Sequence, residues 1–254
     1  MVKERTSLDR GPTIRALDPW ASSAGRMHHL LTDDERARLA VMATIVRFKK
    51  GEVIYRENDR ADAIFNVISE AVSAYKTTDD GNEHMIAFLL ADDLFGLSAE
   101  GRYTNSTRAI TAVSAYRLPV GALRRRLMKD AELEFHVICK LCQELRQSQR
   151  HAFLLGHKSA VTKVAIFVQM IEQLQIARGE KTLEVTLPMD RSDIGEYTGL
   201  TLAAVSRAFR SLITHGVIRV RNRRHVRIID RAAFEKIAGD PKEPVAIAPM
   251  RSSA

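Results

Sequence analysis

The sequence predicts an α+β chain in three parts: a β-roll over residues 28–119, a long helix over 120–157, and a helix-turn-helix with a basic hairpin over 158–232. Three observations carry this division. Short β-branched and aromatic runs separated by turn residues occupy the stretch from about Val46 to Leu118. The apolar period becomes helical after Pro119. Finally, RSDIGEYTGLTLAAVSRAFR, Arg191 to Arg210, puts small and apolar residues where two short crossing helices require them.

Residues 1–27 mix Gly, Pro, Ser and charge without periodicity and are read as a flexible tail. Residues 233–254 are read as a helix end running into a similar tail. Thr32 with Glu35 three residues on has capping-box spacing, which predicts a short helix over Thr32 to Met42. The runs VIYRE, AIFNVIS, VSAYK, HMIAFLL and TRAITAVSAYRL then alternate with turns such as ENDRAD and TDDGN, the pattern of a β-roll.

In the long helix, Ile138, Cys142, Leu145, Gln149 and Ala152 recur at alternating steps of four and three. A stripe this narrow packs against another helix, and its natural partner is its own copy, so a twofold homodimer is expected. The alternative is a helix lying along its own β-roll. Cys139 and Cys142 are the only cysteines, too few for a disulfide framework, and fit reduced structural thiols. A redox switch, or a disulfide across the dimer at Cys142, would require a seam register that brings two copies close.

Within Arg191 to Arg210, Gly195 is small where the helices touch and Gly199 suits a positive φ in the turn. Ile194, Leu200, Val205 and Ala208 point inward, while Thr201 caps the second helix. Ala203, Ala204, Ser206, Arg207 and Arg210 are left on the outer side, where a major groove would lie. Arg207 is the expected base reader: its guanidinium can donate two hydrogen bonds to guanine O6 and N7, worth about 1–3 kcal/mol against the wrong base. Ser206 and Ala203 complete the base-reading set.

From Leu202 to Arg231 eight arginines face one acid, Asp230, so positive charge concentrates beside the outward helix. VIRVRNRRHVRII alternates apolar and basic residues about Asn222, as a hairpin wing does with one face on the core and one on phosphates. Arg221, Arg223 and Arg224, with Ser192, Thr201, Ala204 and Arg210, are the expected backbone-contacting or supporting residues. Double-stranded DNA is the expected partner.

The net charge of +8, from 39 basic and 31 acidic residues, suits a polyanionic partner. Apolar runs such as Met85 to Ala91 are much shorter than the roughly 20 residues a membrane span needs. No apolar signal core follows the charged start, so a cytoplasmic protein without membrane contact is expected. There is no phosphate loop, nucleophile elbow or metalloprotease helix, and the eight histidines show no repeated metal spacing, so neither an enzyme nor a metal site is expected.

The whole order, β-roll, long helix, winged helix-turn-helix, resembles the CRP/FNR superfamily of bacterial regulators over roughly residues 30–232. FKKGEVIYRENDRADAIFNVIS resembles the opening of the family's cyclic-nucleotide-type jelly roll, and RSDIGEYTGLTLAAVSRAF resembles the helix-turn-helix of its FixK and FNR branches. The resemblance implies an activator that binds TTGA-type inverted repeats as a dimer and recruits RNA polymerase.

This sequence also departs from the family pattern. Ala203 stands where FNR-like proteins carry a base-accepting glutamate, so discrimination at that base pair should fall. Leu97 stands at the family's nucleotide-binding glutamate, and Tyr103 with Thr104 at its phosphate-binding pair, so cyclic nucleotide is not expected. No cysteine precedes Cys139, which excludes an FNR-type four-cysteine iron–sulfur cluster within one subunit. Asp190 occupies the position of a redox-reactive cysteine in some FixK-type proteins. Glu70 sits in a turn where relatives usually have glycine, which predicts an altered or strained hairpin. The expected regulator therefore uses no cofactor or effector; the alternative places haem or another small ligand in the β-roll.

Overall fold

The computed structural model describes residues 39, 41–91, 93–177 and 183–239. The N-terminal tail, residues 240–254 and nearly all of the helix expected over Thr32 to Met42 lie outside the described residues.

Eight strands build the N-terminal part: β1 (Thr44–Phe48), β2 (Val53–Tyr55), β3 (Ala63–Ser69), β4 (Val72–Thr77), β5 (Glu83–Leu89), β6 (Leu94–Phe95), β7 (Ser106–Ala109) and β8 (Val113–Pro119). They form two antiparallel sheets, ordered β1-β8-β3-β6 and β2-β7-β4-β5, as expected of a β-roll. Apolar side chains from both sheets, Phe65, Val67, Val72, Leu89, Val113 and Ala115 among them, meet in one core.

The run TRAITAVSAYRL, read as one strand region, is two strands in different sheets. The chain turns the corner at Ile110 and Thr111, where Ile110 N–H donates to Ala71 C=O at 3.1 Å and Thr111 Oγ1 accepts from Ala71 N–H at 3.0 Å. Glu70, in the β3–β4 turn, has φ +73°, the left-handed conformation that glycine adopts without penalty. The expected strain is thus located at one residue.

The expected long helix is two helices, α1 (Val120–Leu127) and α2 (Ala131–Gly156). Asp130 breaks the run by capping α2, its carboxylate accepting from Leu133 N–H at 3.2 Å, with Glu132 and Glu134 favourably placed in the first turn. Two stripes run along α2. Leu133, Val137, His151 and Leu154 face the protein and are buried. Ile138, Cys142, Leu145, Gln149 and Ala152 face solvent, with Ile138 49% and Leu145 60% exposed. Cys139 is half-buried, and burial raises its thiol pKa, so it is not an activated thiolate.

Lys140 of α2 reaches back to Asp93 of the β5–β6 connection at 3.2 Å and lies 3.4 Å from Glu144, one turn on in α2. Asp93 also accepts from Leu90 N–H at 2.8 Å. These three charges are largely withdrawn from water, and burial pushes the Glu144 carboxyl up to about 7.

The C-terminal domain comprises α3 (Ala160–Ala177), β9 (Val185–Thr186), α4 (Arg191–Thr198), α5 (Leu202–Thr214), β10 (Ile218–Arg221), β11 (His225–Ile228) and α6 (Arg231–Ala238). Phe234 of α6 is fully buried beside Phe167, Ile171 and Leu212. The domain therefore extends through α6 rather than ending at residue 232: the helix closes its core. Met85, Phe88 and Leu90 of the β-roll pack into that same cluster and join the two domains.

Candidate nucleic-acid interface

Helices α4 and α5 cross as closely as backbones allow. A Cβ placed on Gly195 would lie 2.6 Å from Leu200 C=O, so only glycine fits there. Gly199 ends α4 at φ +63°, and Leu200 N–H donates back to Gly195 C=O at 2.9 Å. Thr201 Oγ1 accepts from Ala204 N–H at 3.2 Å and starts α5. Asp190 and Asp193 form a reciprocal capping box at the start of α4. Ile194, Val205 and Ala208 are buried between the helices as expected, and Leu200 is partly so.

This packing settles which side of α5 faces out. Ala203, Ser206, Arg207 and Arg210 are exposed, and Ala204 is half-exposed at the edge. Ser192 is exposed at the start of α4. Arg191 does something the sequence did not reveal. Its guanidinium stacks on the Phe209 ring at 3.1 Å, and burial lowers its pKa to about 10, which leaves it charged at neutral pH.

The wing is the β10–β11 hairpin, with β9 as a third strand. Its turn takes positive φ at Asn222 (+50°) and Arg223 (+60°). Val220 pairs with Val226 on the inner face, while Arg219 and Arg227 are directly opposed on the outer face. Like charges in register repel, so this pair suits a bound anion. Among the described residues, Arg207, Arg210, Arg219 and Arg223 make no ion pair with an acid, which leaves their donors available to phosphates or bases.

Arg221 and Arg224 differ from this pattern. Arg221 pairs with Glu184 at 2.8 Å, and Arg224 with Asp190 at 3.3 Å. Asp190 also holds Lys50 of the β1–β2 turn at 3.1 Å, and that hydrogen bond leads the interactions holding its carboxyl below the ordinary range. Lys50 and Glu184 were invisible to sequence reasoning because their partners lie far along the chain.

Aromatic rings stack in the β-roll interior. Tyr103 stacks on Tyr55 with centroids 3.7 Å apart and donates its hydroxyl to Ala63 C=O at 2.8 Å. Phe65 and Phe95 stack beside them at 5.2 Å. Arg102 donates to Asn58 C=O at 2.7 Å, and Arg108 pairs with Glu83, so both nearby guanidiniums are engaged elsewhere.

Comparison with known proteins agrees with this architecture. Residues 45–130 match the family model of the cyclic nucleotide-binding domain, and residues 163–237 that of the Crp-like helix-turn-helix domain. The chain is 32% identical over 193 residues to the nitrogen fixation regulation protein FixK of Bradyrhizobium diazoefficiens, covering 76% of this chain and 81% of that protein. It is 30% identical to the transcriptional activator protein FnrA of Stutzerimonas stutzeri, covering 75% and 79% respectively. The solved structure of FixK2 from Bradyrhizobium japonicum superimposes with a TM-score of 0.72 at 31% identity, covering 78% of this chain and 98% of that one.

Proposed function

The chain belongs to the CRP/FNR family of transcription regulators, in its FixK-like branch, and we propose that it binds an inverted-repeat, TTGA-like promoter site as a homodimer without a small-molecule effector. It is a DNA-binding transcription activator with a cyclic-nucleotide-binding-type domain and a Crp-like helix-turn-helix. The observation that carries the reading is the outer face of α5: Arg207 and Ser206 stand in solvent on a helix fixed by the Gly195 crossing, beside a wing whose arginines face outward. Arg207 reads guanine, Ser206 adds a hydrogen bond, and Ala203 offers only a methyl contact. Arg210, Arg219, Arg223 and Arg227 hold phosphates, joined by Arg221 and Arg224 once their acids release them.

Dimerisation is supported by the solvent-facing stripe of Ile138, Leu145 and their neighbours, apolar area that a second copy of α2 would cover. Packing of the β-roll interior supports the effector-free reading: Tyr103, which stands where the resemblance would put a phosphate-binding residue, is buried and stacked on Tyr55. The bound dimer recruits RNA polymerase and acts in the cytoplasm, as a regulator and not an enzyme.

The test is affinity for a TTGA-type inverted repeat against scrambled DNA at one fixed salt concentration, because phosphate binding alone mimics weak recognition. Discrimination by the purified protein with nothing added supports the reading. Discrimination only after haem or another small ligand is supplied overturns its effector-free part, and none under any condition overturns the half-site assignment.

A further inference from the structure

We propose that α4 is clamped to the β-roll and to α2, and that His151, Phe88 and Lys50 are positioning residues that set the spacing at which the two reading helices meet DNA. This rests on the homodimer reading above. Tyr197, near the end of α4, is gripped from three elements. His151 of α2 stacks on its ring at 3.9 Å and 10°. Phe88 of β5 lies 4.9 Å from it, and Phe167 of α3 lies 5.6 Å away.

His151 also fastens the backbone. Its Nε2 is 2.6 Å from Tyr197 C=O, and a carbonyl only accepts, so Nε2 carries the proton and donates. Lys163 of α3 donates to the next carbonyl, Thr198 C=O, at 2.9 Å. Two orphan carbonyls at the end of α4 are thereby satisfied by side chains from α2 and α3. At the opposite end of α4, Lys50 of the β-roll holds the capping residue Asp190.

The clamp leaves the reading helix free while fixing its support. Ala203, Ser206, Arg207 and Arg210 remain exposed, yet α5 follows α4 because the two backbones touch at Gly195 and Leu200. His151 directly precedes Ala152 of the outward stripe, so one short stretch of α2 carries both the dimer face and the grip on α4. Phe88 packs with the helical-domain cluster and not with the β-roll's own core, which makes it a junction residue.

Half-sites one helical turn apart are separated by about 34–36 Å, and one inserted base pair shifts a half-site by about 3.4 Å and rotates it by about 34°. A clamped dimer is intolerant of that change, whereas a loosened one follows it. The experiment measures affinity by fluorescence anisotropy for inverted repeats whose spacers differ by up to two base pairs, with dimer state and melting temperature recorded for each protein.

The unmodified protein is expected to lose about tenfold per base pair from the best spacer. His151→Ala and Phe88→Ala should bind the best spacer about 3- to 30-fold more weakly and show a flattened spacer profile. His151→Gln, which keeps a donor for Tyr197 C=O, should recover much of the preference. Lys50→Ala, at a 64% exposed side chain that contributes little to folding, should flatten the profile to a smaller degree. A folded, dimeric His151→Ala protein with the original spacer profile overturns the proposal, as does a Lys50→Ala profile unchanged where Phe88→Ala fails to fold. An unmodified protein that is monomeric or indifferent to palindromes instead strikes the homodimer reading.

Discussion

Replacing Gly195 with alanine tests whether the crossing of α4 and α5 sets DNA recognition. The added Cβ would stand 2.6 Å from Leu200 C=O, whereas real Cβ contacts stay above 3.0 Å, so the helices must separate by at least the difference, 0.4 Å. The obstacle is backbone, and that backbone also carries the Leu200 N–H to Gly195 C=O hydrogen bond of 2.9 Å, so no side-chain rotation relieves it. Overpacking of this kind costs about 1–3 kcal/mol. The gain from replacing glycine inside a helix is about 1 kcal/mol, which leaves a net destabilisation of about 0–2 kcal/mol.

The larger effect falls on binding. Thr201 caps α5 directly after Leu200, so displacement at Leu200 moves the start of the reading helix and misaligns Arg207. A misaligned bidentate contact forfeits about 1–3 kcal/mol per half-site. Gly195→Ala should therefore melt within a few degrees of the parent yet bind its specific site at least about tenfold more weakly, as read by calorimetry and anisotropy titration. Unchanged affinity together with a raised melting temperature would refute the close crossing.

Three further outcomes follow from other residues. Arg207→Ala should lower specific affinity by about 1–3 kcal/mol per half-site while affinity for scrambled DNA changes little; an equal loss on both DNAs would demote Arg207 to a phosphate contact. Glu70→Gly should raise stability by about 1 kcal/mol, because the φ of +73° strains glutamate but not glycine, and a lowered melting temperature would count against that strain. Glu144, raised by burial to about 7 from 4.5, binds its proton more tightly in the folded state. Its contribution is therefore fully present below pH 4.5 and is lost as pH rises through 7, so Glu144→Gln should gain on the parent in melts moved from pH 5 to pH 8; parallel curves would remove the carboxyl from the buried cluster.

The readable parts of this chain were those in which cause and effect lie within a few residues. The positive φ at Gly199, the Thr201 cap and the turn at Asn222 each depend on the bonding range of one short segment. The outward stripe of α2 and the outward face of α5 follow from helical period alone, which is why Ile138, Leu145, Ser206 and Arg207 are exposed where expected. Asp130 carried a local signal too, a capping residue ahead of two glutamates, but the neighbouring apolar rhythm masked the break between α1 and α2.

What the sequence determined by itself was the order of the main elements and the side of α5 that is exposed, because periodicity, caps and turn chemistry are local; the family was legible from the resemblance of two motifs. Only the tertiary structure decided that Lys50 holds Asp190, that His151 and Phe88 grip Tyr197, that Tyr103 stacks on Tyr55 inside the β-roll, and that α6 closes the C-terminal core. Lys50 and Asp190 are 140 positions apart. A contact of that span arises from how two cores share a surface, and its energy exists only once the packing of both domains has brought the groups together.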